Sequence, residues 1–399
     1  MKIYIAALAL LLLCMQVHAV FAQATGQKAA VSASSIALKF YRQAANKQGN
    51  ILFSPYSLYS AFAMVYEGAR GQTATEIGGI FDFPVTLGEL HKDFGLLRDE
   101  LAKSAGASEF SQANAFWYQK DYKFLTEYQA VLKLSYLASA KASDFKKDPE
   151  AVRQAANSWT EKQTKGKIKD LFPANSIDQT TRLALVNAVY FKGKWKIPFK
   201  KDVEEQNFTL LSGEKIKTPF MEAPNNSNIW YYEDAALQSA ALPYAGGDLD
   251  MLVILPNPSK SLFEIEKSLT VENISAVRSG MVEQKVRVFL PRFKFSDEWN
   301  LGPELAAIGM PLAFNKHADF QGIDGKKDLF IQKAVQKVFV EVNEEGTEAA
   351  AATGISMHSK GIERSNINIF RADRPFIFII EDRRTGLILF MGRMADPRQ

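Results

Sequence analysis

Residues 342–354, VNEEGTEAAAATG, constrain the fold of this chain more than any other stretch. Glutamate and four alanines favour helix on intrinsic propensity, and a solvated helix or linker is the plain reading. Position opposes it. The stretch follows directly on residues 336–342, a strand-like run whose apolar side chains alternate. If that strand simply continued, Thr347, Ala349, Ala351 and Thr353 would share one face. All four are small and uncharged, so they could lie against a hydrophobic layer. The only charge among the residues between, Glu348, falls on the other face. A loop that can become a central strand is a store of conformational strain, and it needs a sheet able to admit it.

The rest of the chain supplies such a sheet. Apolar residues at helical spacing predict helices over 29–47, 56–68 and 87–103. Strands are predicted over 182–191, 249–255, 286–290 and 335–342, and over 375–380 and 387–391 on either side of a turn at Arg384, Thr385 and Gly386. Length alone would suggest two or three domains. Yet no Pro/Gly/Ser-rich linker, internal repeat or low-complexity tract divides the sequence. Helices first and strands later predict one α+β domain.

The N-terminus predicts export. Lys2 precedes an unbroken apolar run, residues 3–15, which is too short for a transmembrane helix and fits the core of a secretory signal. Val20 and Ala22 bracket one cleavage site, Val17 and Ala19 another. A signal peptide over 1–22 and a mature domain over 23–399 are expected, with a secreted, extracellular product that engages no membrane. The only cysteine, Cys14, lies inside the leader, and a mature chain this long can build its core without disulfides. Asn207, Asn225 and Asn273 open Asn-x-Ser/Thr motifs and are candidate glycan acceptors.

No enzyme is expected. After the leader only His91, His317 and His358 remain, with no two at metal-ligand spacing. Residues 354–358, GISMH, approach a nucleophile elbow but lack its last glycine and follow no apolar strand. No metal or cofactor is predicted. A balance of 48 basic against 44 acidic residues, formally +4, does not argue for nucleic acid. Lysines cluster at Lys162, Lys165, Lys167 and Lys169, and at Lys192, Lys194, Lys196, Lys200 and Lys201. A solvated surface is the bland reading, and weak binding of a sulfated glycan the sharper one.

Residues 344–351, EEGTEAAA, resemble the loop hinge of inhibitory serpins, formed here by Glu344, Glu345, Gly346, Thr347, Ala349, Ala350, Ala351 and Ala352. Five further stretches are similar to serpin motifs in family order: 50–57, 187–195, 290–293, 373–376 and 389–393. The style of the bait loop and the absence of disulfides look similar to secreted arthropod members. The resemblance implies the serpin fold: three β-sheets, about nine helices and an exposed reactive-centre loop over about 343–366. It also implies suicide inhibition, in which a protease cleaves the loop and is trapped as the loop inserts into the central sheet. The family's hinge-to-bond count places Lys360 before the scissile bond and Gly361 after it. The alternative is Arg364–Ser365. Either implies trypsin-like serine proteases as covalent partners of a monomeric inhibitor. Ser54, Ser57 and Asn187 would form a polar shutter beneath the sheet, with Gln336 where many members carry histidine, and Trp195 would be a breach residue. Helix 87–103 mixes Lys92, Arg98 and Lys103 with four acids and predicts no polyanion stripe. A non-inhibitory carrier or chaperone on the same scaffold is the alternative.

Overall fold

A computed structural model describes residues 29–200, 204–224, 227–347 and 367–398. A helix over 29–44 opens the described chain, ending three residues before its predicted limit. After the short strand Ile51–Phe53, helix Pro55–Gly68 begins at Ser54, whose hydroxyl accepts the Ser57 N–H. Proline in the first turn costs nothing there, because its missing N–H would have no partner. All 14 residues of this helix are buried, as expected of one packed on every side.

Two hydrogen-bonded runs of strands organise the rest. One has six strands in the order Phe293–Asn300, Lys333–Asn343, Gly346–Thr347, Leu183–Lys194, Glu109–Gln119, Ser139–Ser143. The other has ten and changes sheet halfway along Val282–Pro291. Residues Val282 to Lys285 pair with strand Asn228–Glu233, whereas Val286 to Pro291 pair with Asn368–Arg371 and Lys215–Glu222. Three sheets therefore exist, two of them sharing this strand. Ten α-helices and one 3-10 turn are present among the described residues, close to the nine expected.

Strand Leu183–Lys194 lies at the centre and is buried on both faces. Leu183, Leu185, Val189 and Phe191 join the main core, which also holds the C-terminal hairpin. Ala184, Val186 and Ala188 join a smaller core with Val152 and Ala156 of helix Pro149–Gln163. Burial on both sides explains the near-continuous apolar run.

The strand predicted over 335–342 ends at Asn343, where the expected loop begins. Asn343 Oδ1 accepts the backbone N–H groups of Glu345 and Gly346, at 3.1 and 3.3 Å, and so folds the chain back. Gly346–Thr347 then runs antiparallel to both Lys333–Asn343 and Leu183–Lys194.

Candidate functional site

A row of three amide side chains crosses the six-stranded sheet. Asn114 is in register with Asn187, and Asn187 with Gln336. On each strand these residues occupy the phase whose other members, such as Phe116, Leu185 and Val338, enter the main core. Polar groups there must find partners, and they do so on helix Pro55–Gly68 and its cap. Gln336 Nε2 donates to Asn187 Oδ1 at 2.6 Å and to the Ser54 carbonyl at 3.1 Å, while its Oε1 accepts the Ser54 N–H at 3.0 Å. Asn187 Nδ2 donates to Ser57 Oγ and Asn114 Oδ1, both at 2.5 Å. Ser54 Oγ donates to the Leu389 carbonyl at 2.6 Å, tying the row to the C-terminal hairpin. Four residues named from sequence, Ser54, Ser57, Asn187 and Gln336, thus meet in one buried network.

Two of its members escaped the sequence reading, Asn114 and Gln112, whose Nε2 donates to Ser57 Oγ at 3.0 Å. Their signal is a polar pair on the apolar phase of strand Glu109–Gln119, between Phe110 and Phe116.

At one end of the same strands, Gly346–Thr347 sits between Leu183–Lys194 and Lys333–Asn343. Beside it those strands pair directly in parallel, from Lys333↔Ala184 to Phe339↔Tyr190. Trp195 closes this end. Its Nε1 donates to the Asn343 carbonyl and its backbone N–H to the Glu345 carbonyl, both at 2.9 Å, and its ring stacks on Tyr244 at 4.6 Å. Thr347 is fully buried, with its hydroxyl 2.6 Å from Tyr244 Oη. Burial raises the Tyr244 phenol well above its usual pKa, so it remains neutral. Glu344 is held by Arg292, another partner absent from the sequence reading. Backbone approaches so closely at Gly346 that a Cβ would lie 2.0 Å from the Gly193 carbonyl oxygen.

Ala349, Ala350, Ala351 and Ala352, the bonds Lys360–Gly361 and Arg364–Ser365, Asn225 and the leader lie outside the described residues. Asn207 and Asn273 are exposed, although Asn273 Nδ2 donates to the Ser268 carbonyl at 2.5 Å. Several clustered lysines face acids: Lys165 meets Glu109, Lys169 meets Glu161 at 3.4 Å, and Lys200 meets Glu222 at 3.1 Å. Among the described residues no helix is long and apolar enough to cross a membrane, and no group of His, Cys, Asp and Glu could hold a metal.

Comparison with known proteins agrees with this geometry. A family model described as Serpin (serine protease inhibitor) matches residues 31–397. The leukocyte elastase inhibitor of Homo sapiens is 38% identical over 361 residues, covering 88% of this chain and 94% of that protein. An uncharacterized serpin-like protein of Thermococcus kodakarensis is 39% identical over 370 residues, 92% of this chain and 85% of that one. Among solved structures, a highly specific serpin of the insect Tenebrio molitor superposes with TM-score 0.82 at 29% identity, over 93% of this chain and 98% of that one. Uncleaved ovalbumin does so with TM-score 0.81 at 29% identity, over 92% and 99%.

Proposed function

The chain belongs to the serpin family, whose members inhibit proteases rather than catalyse, and on that premise we propose that it is a secreted suicide inhibitor of trypsin-like serine proteases. One observation carries the reading. Gly346–Thr347 already lies between the two strands that must part, with Thr347 facing inward. The alternation of small residues set by Thr347 continues through Ala349, Ala351 and Thr353, so the following residues can enter the same slot without burying a charge.

The mechanism follows from this arrangement. A protease attacks the bond after Lys360, whose ammonium suits a specificity pocket containing a carboxylate. Cleavage frees the hinge side of the loop, which zips between Leu183–Lys194 and Lys333–Asn343. About 15 inserted residues at about 3.3 Å each carry the tethered enzyme about 50 Å. Compressed against the far end of the molecule, the protease loses its oxyanion-hole geometry; losing one donor alone costs about 10²- to 10³-fold in rate. The acyl ester persists and the inhibitor is consumed. The apolar leader supports export, and Asn207, Asn225 and Asn273 are the candidate glycan acceptors, of which Asn207 and Asn273 are exposed.

Mixing the mature protein with trypsin tests this. A boiling-resistant covalent complex is expected, with a released peptide beginning at Gly361. A peptide beginning at Ser365 would move the bond to Arg364. Clean cleavage with no complex, by trypsin and by thrombin-like and plasmin-like proteases, would replace inhibition with the carrier or chaperone reading.

A further inference from the structure

Four consecutive alanines occupy residues 349–352, and a run of identical side chains specifies its own register only weakly. A slip of one residue is opposed, because it turns Glu348 inward. A slip of two that brings Ala349 to the place of Thr347 keeps the small-residue alternation, so neither charge nor bulk opposes it. The register has to be set from outside the alanine run. Thr347 is the only hydroxyl residue within 344–352. It is fully buried, and its hydroxyl lies 2.6 Å from Tyr244 Oη. Tyr244, just after strand Leu237–Pro243, is itself firmly placed. Its N–H donates to the Leu249 carbonyl at 3.0 Å, its ring stacks on Trp195 at 4.6 Å, and Phe191 meets it edge-on at 4.9 Å. A Cβ at Gly193 would lie 2.7 Å from Tyr244 Cδ1, so the ring fits there only against glycine. Gly193 is also the residue of Leu183–Lys194 that pairs with Thr347.

We propose that Tyr244 is a positioning residue for loop insertion, whose hydroxyl recognises that of Thr347 and fixes the register in which the following residues enter the sheet. The role in insertion rests on the loop-insertion reading above; the pinning of the hinge does not. A buried hydroxyl left without a partner is unfavourable, so a misaligned hinge is penalised at this one point. Gly346 and Ala349 offer no hydroxyl in place of Thr347, and Glu348 brings a charge. Burial raises the Tyr244 pKa well above its usual value, so the phenol keeps its proton and the pair persists across the ordinary pH range. Thr347 pairs with Gly193 and Val342 in the uncleaved chain, so the register is chosen before a protease arrives. Molecules with Thr347 seated insert in phase, and the rate of productive insertion scales with their fraction.

Two measurements on the full mature chain test this, with Tyr244→Phe, Thr347→Val, their double variant and Thr347→Ser. Both single changes keep the shape of the side chain and remove one hydroxyl. Hydrogen exchange of the uncleaved chain, read on the segment 343–347, should be at least about threefold faster in Tyr244→Phe and in Thr347→Val. The double variant should exchange no faster than either, because both changes remove the same contact. Thr347→Ser, which restores the hydroxyl, should fall closer to the parent than valine does. With trypsin, the number of inhibitor molecules consumed per enzyme inactivated should rise at least about twofold in the same three hydroxyl-deleted variants, and the rate of first encounter should not change. Equal exchange in all five proteins would overturn the pin. Faster exchange with an unchanged stoichiometry would overturn its role in insertion. A parent that is cut by trypsin without trapping it would overturn the inhibitory reading and with it that role, whereas the exchange result, which involves no protease, would still decide the pin.

Discussion

Gln336 donates and accepts at once, and that dual capacity is what its position requires. Its Oε1 satisfies the Ser54 N–H and its Nε2 satisfies Asn187 Oδ1, both buried. Gln336→Ala leaves both unpaired, and we expect a loss of about 2–5 kcal/mol, since each buried orphan costs about 1–3 kcal/mol. Gln336→His, with a donor and an acceptor of its own, should lose less. Thermal unfolding of the two variants checks this, and equal losses would mean that packing rather than hydrogen bonding decides the site. Gly346 is constrained by space, because its missing Cβ would meet Gly193 and Lys194 backbone. That need is invisible in a sequence, where Gly346 reads only as part of a flexible hinge.

Among the elements, the short strand Gly346–Thr347 pairs with both Lys333–Asn343 and Leu183–Lys194. Thr347→Arg would place a charge in a buried slot, where desolvation penalises it heavily. Insertion should then lag behind deacylation, and the variant should be cut by trypsin as a substrate. The check is the number of inhibitor molecules consumed per trypsin inactivated; no increase would mean that Thr347 does not face the inserted core. The edge strand Phe293–Asn300 is pinned through Asp297, which accepts the Leu52 N–H at 3.1 Å and Lys47 Nζ at 2.5 Å. Burial raises the Asp297 pKa above its usual 3.8, and Lys47 offsets this only in part. A raised native pKa means that the folded state holds the proton more tightly than the unfolded chain. The stability it contributes is complete below the ordinary carboxyl range and is lost as pH rises through the raised value. The stability of Asp297→Asn relative to the parent should therefore improve between about pH 4 and pH 7. Denaturant midpoints across that range test it, and a gap that widened with pH would contradict the assignment.

For the molecule as a whole, the proposed mechanism requires the central sheet to take one more strand after cleavage. Cleavage after Lys360 should therefore raise the unfolding midpoint by at least about 20 °C, because roughly 15 new residues join a ladder at about 1 kcal/mol per hydrogen bond. Calorimetry before and after limited proteolysis reads this directly, and an unchanged midpoint would mean that the cleaved loop stays outside.

Much of this architecture is legible in the residue pattern, for a physical reason. The two-residue period of a strand is a local property, so the alternation in residues 335–342 and the small residues from Thr347 onward already say which side chains share a face. The capping of helix Pro55–Gly68 by Ser54 is equally local. Other features depend on neighbours remote in the chain. Asn114 and Asn187 stand 73 positions apart and meet through strand register, which long-range hydrogen bonds and core packing select together. The reversal at Asn343, which periodicity does not specify, is set by Asn343 Oδ1 and by Trp195 bonding to the turn it closes. The cavity lined by Tyr56, Phe94, Phe110 and Tyr136 belongs to no segment, because its walls come from four elements or their flanks, whose distance only the packed core determines.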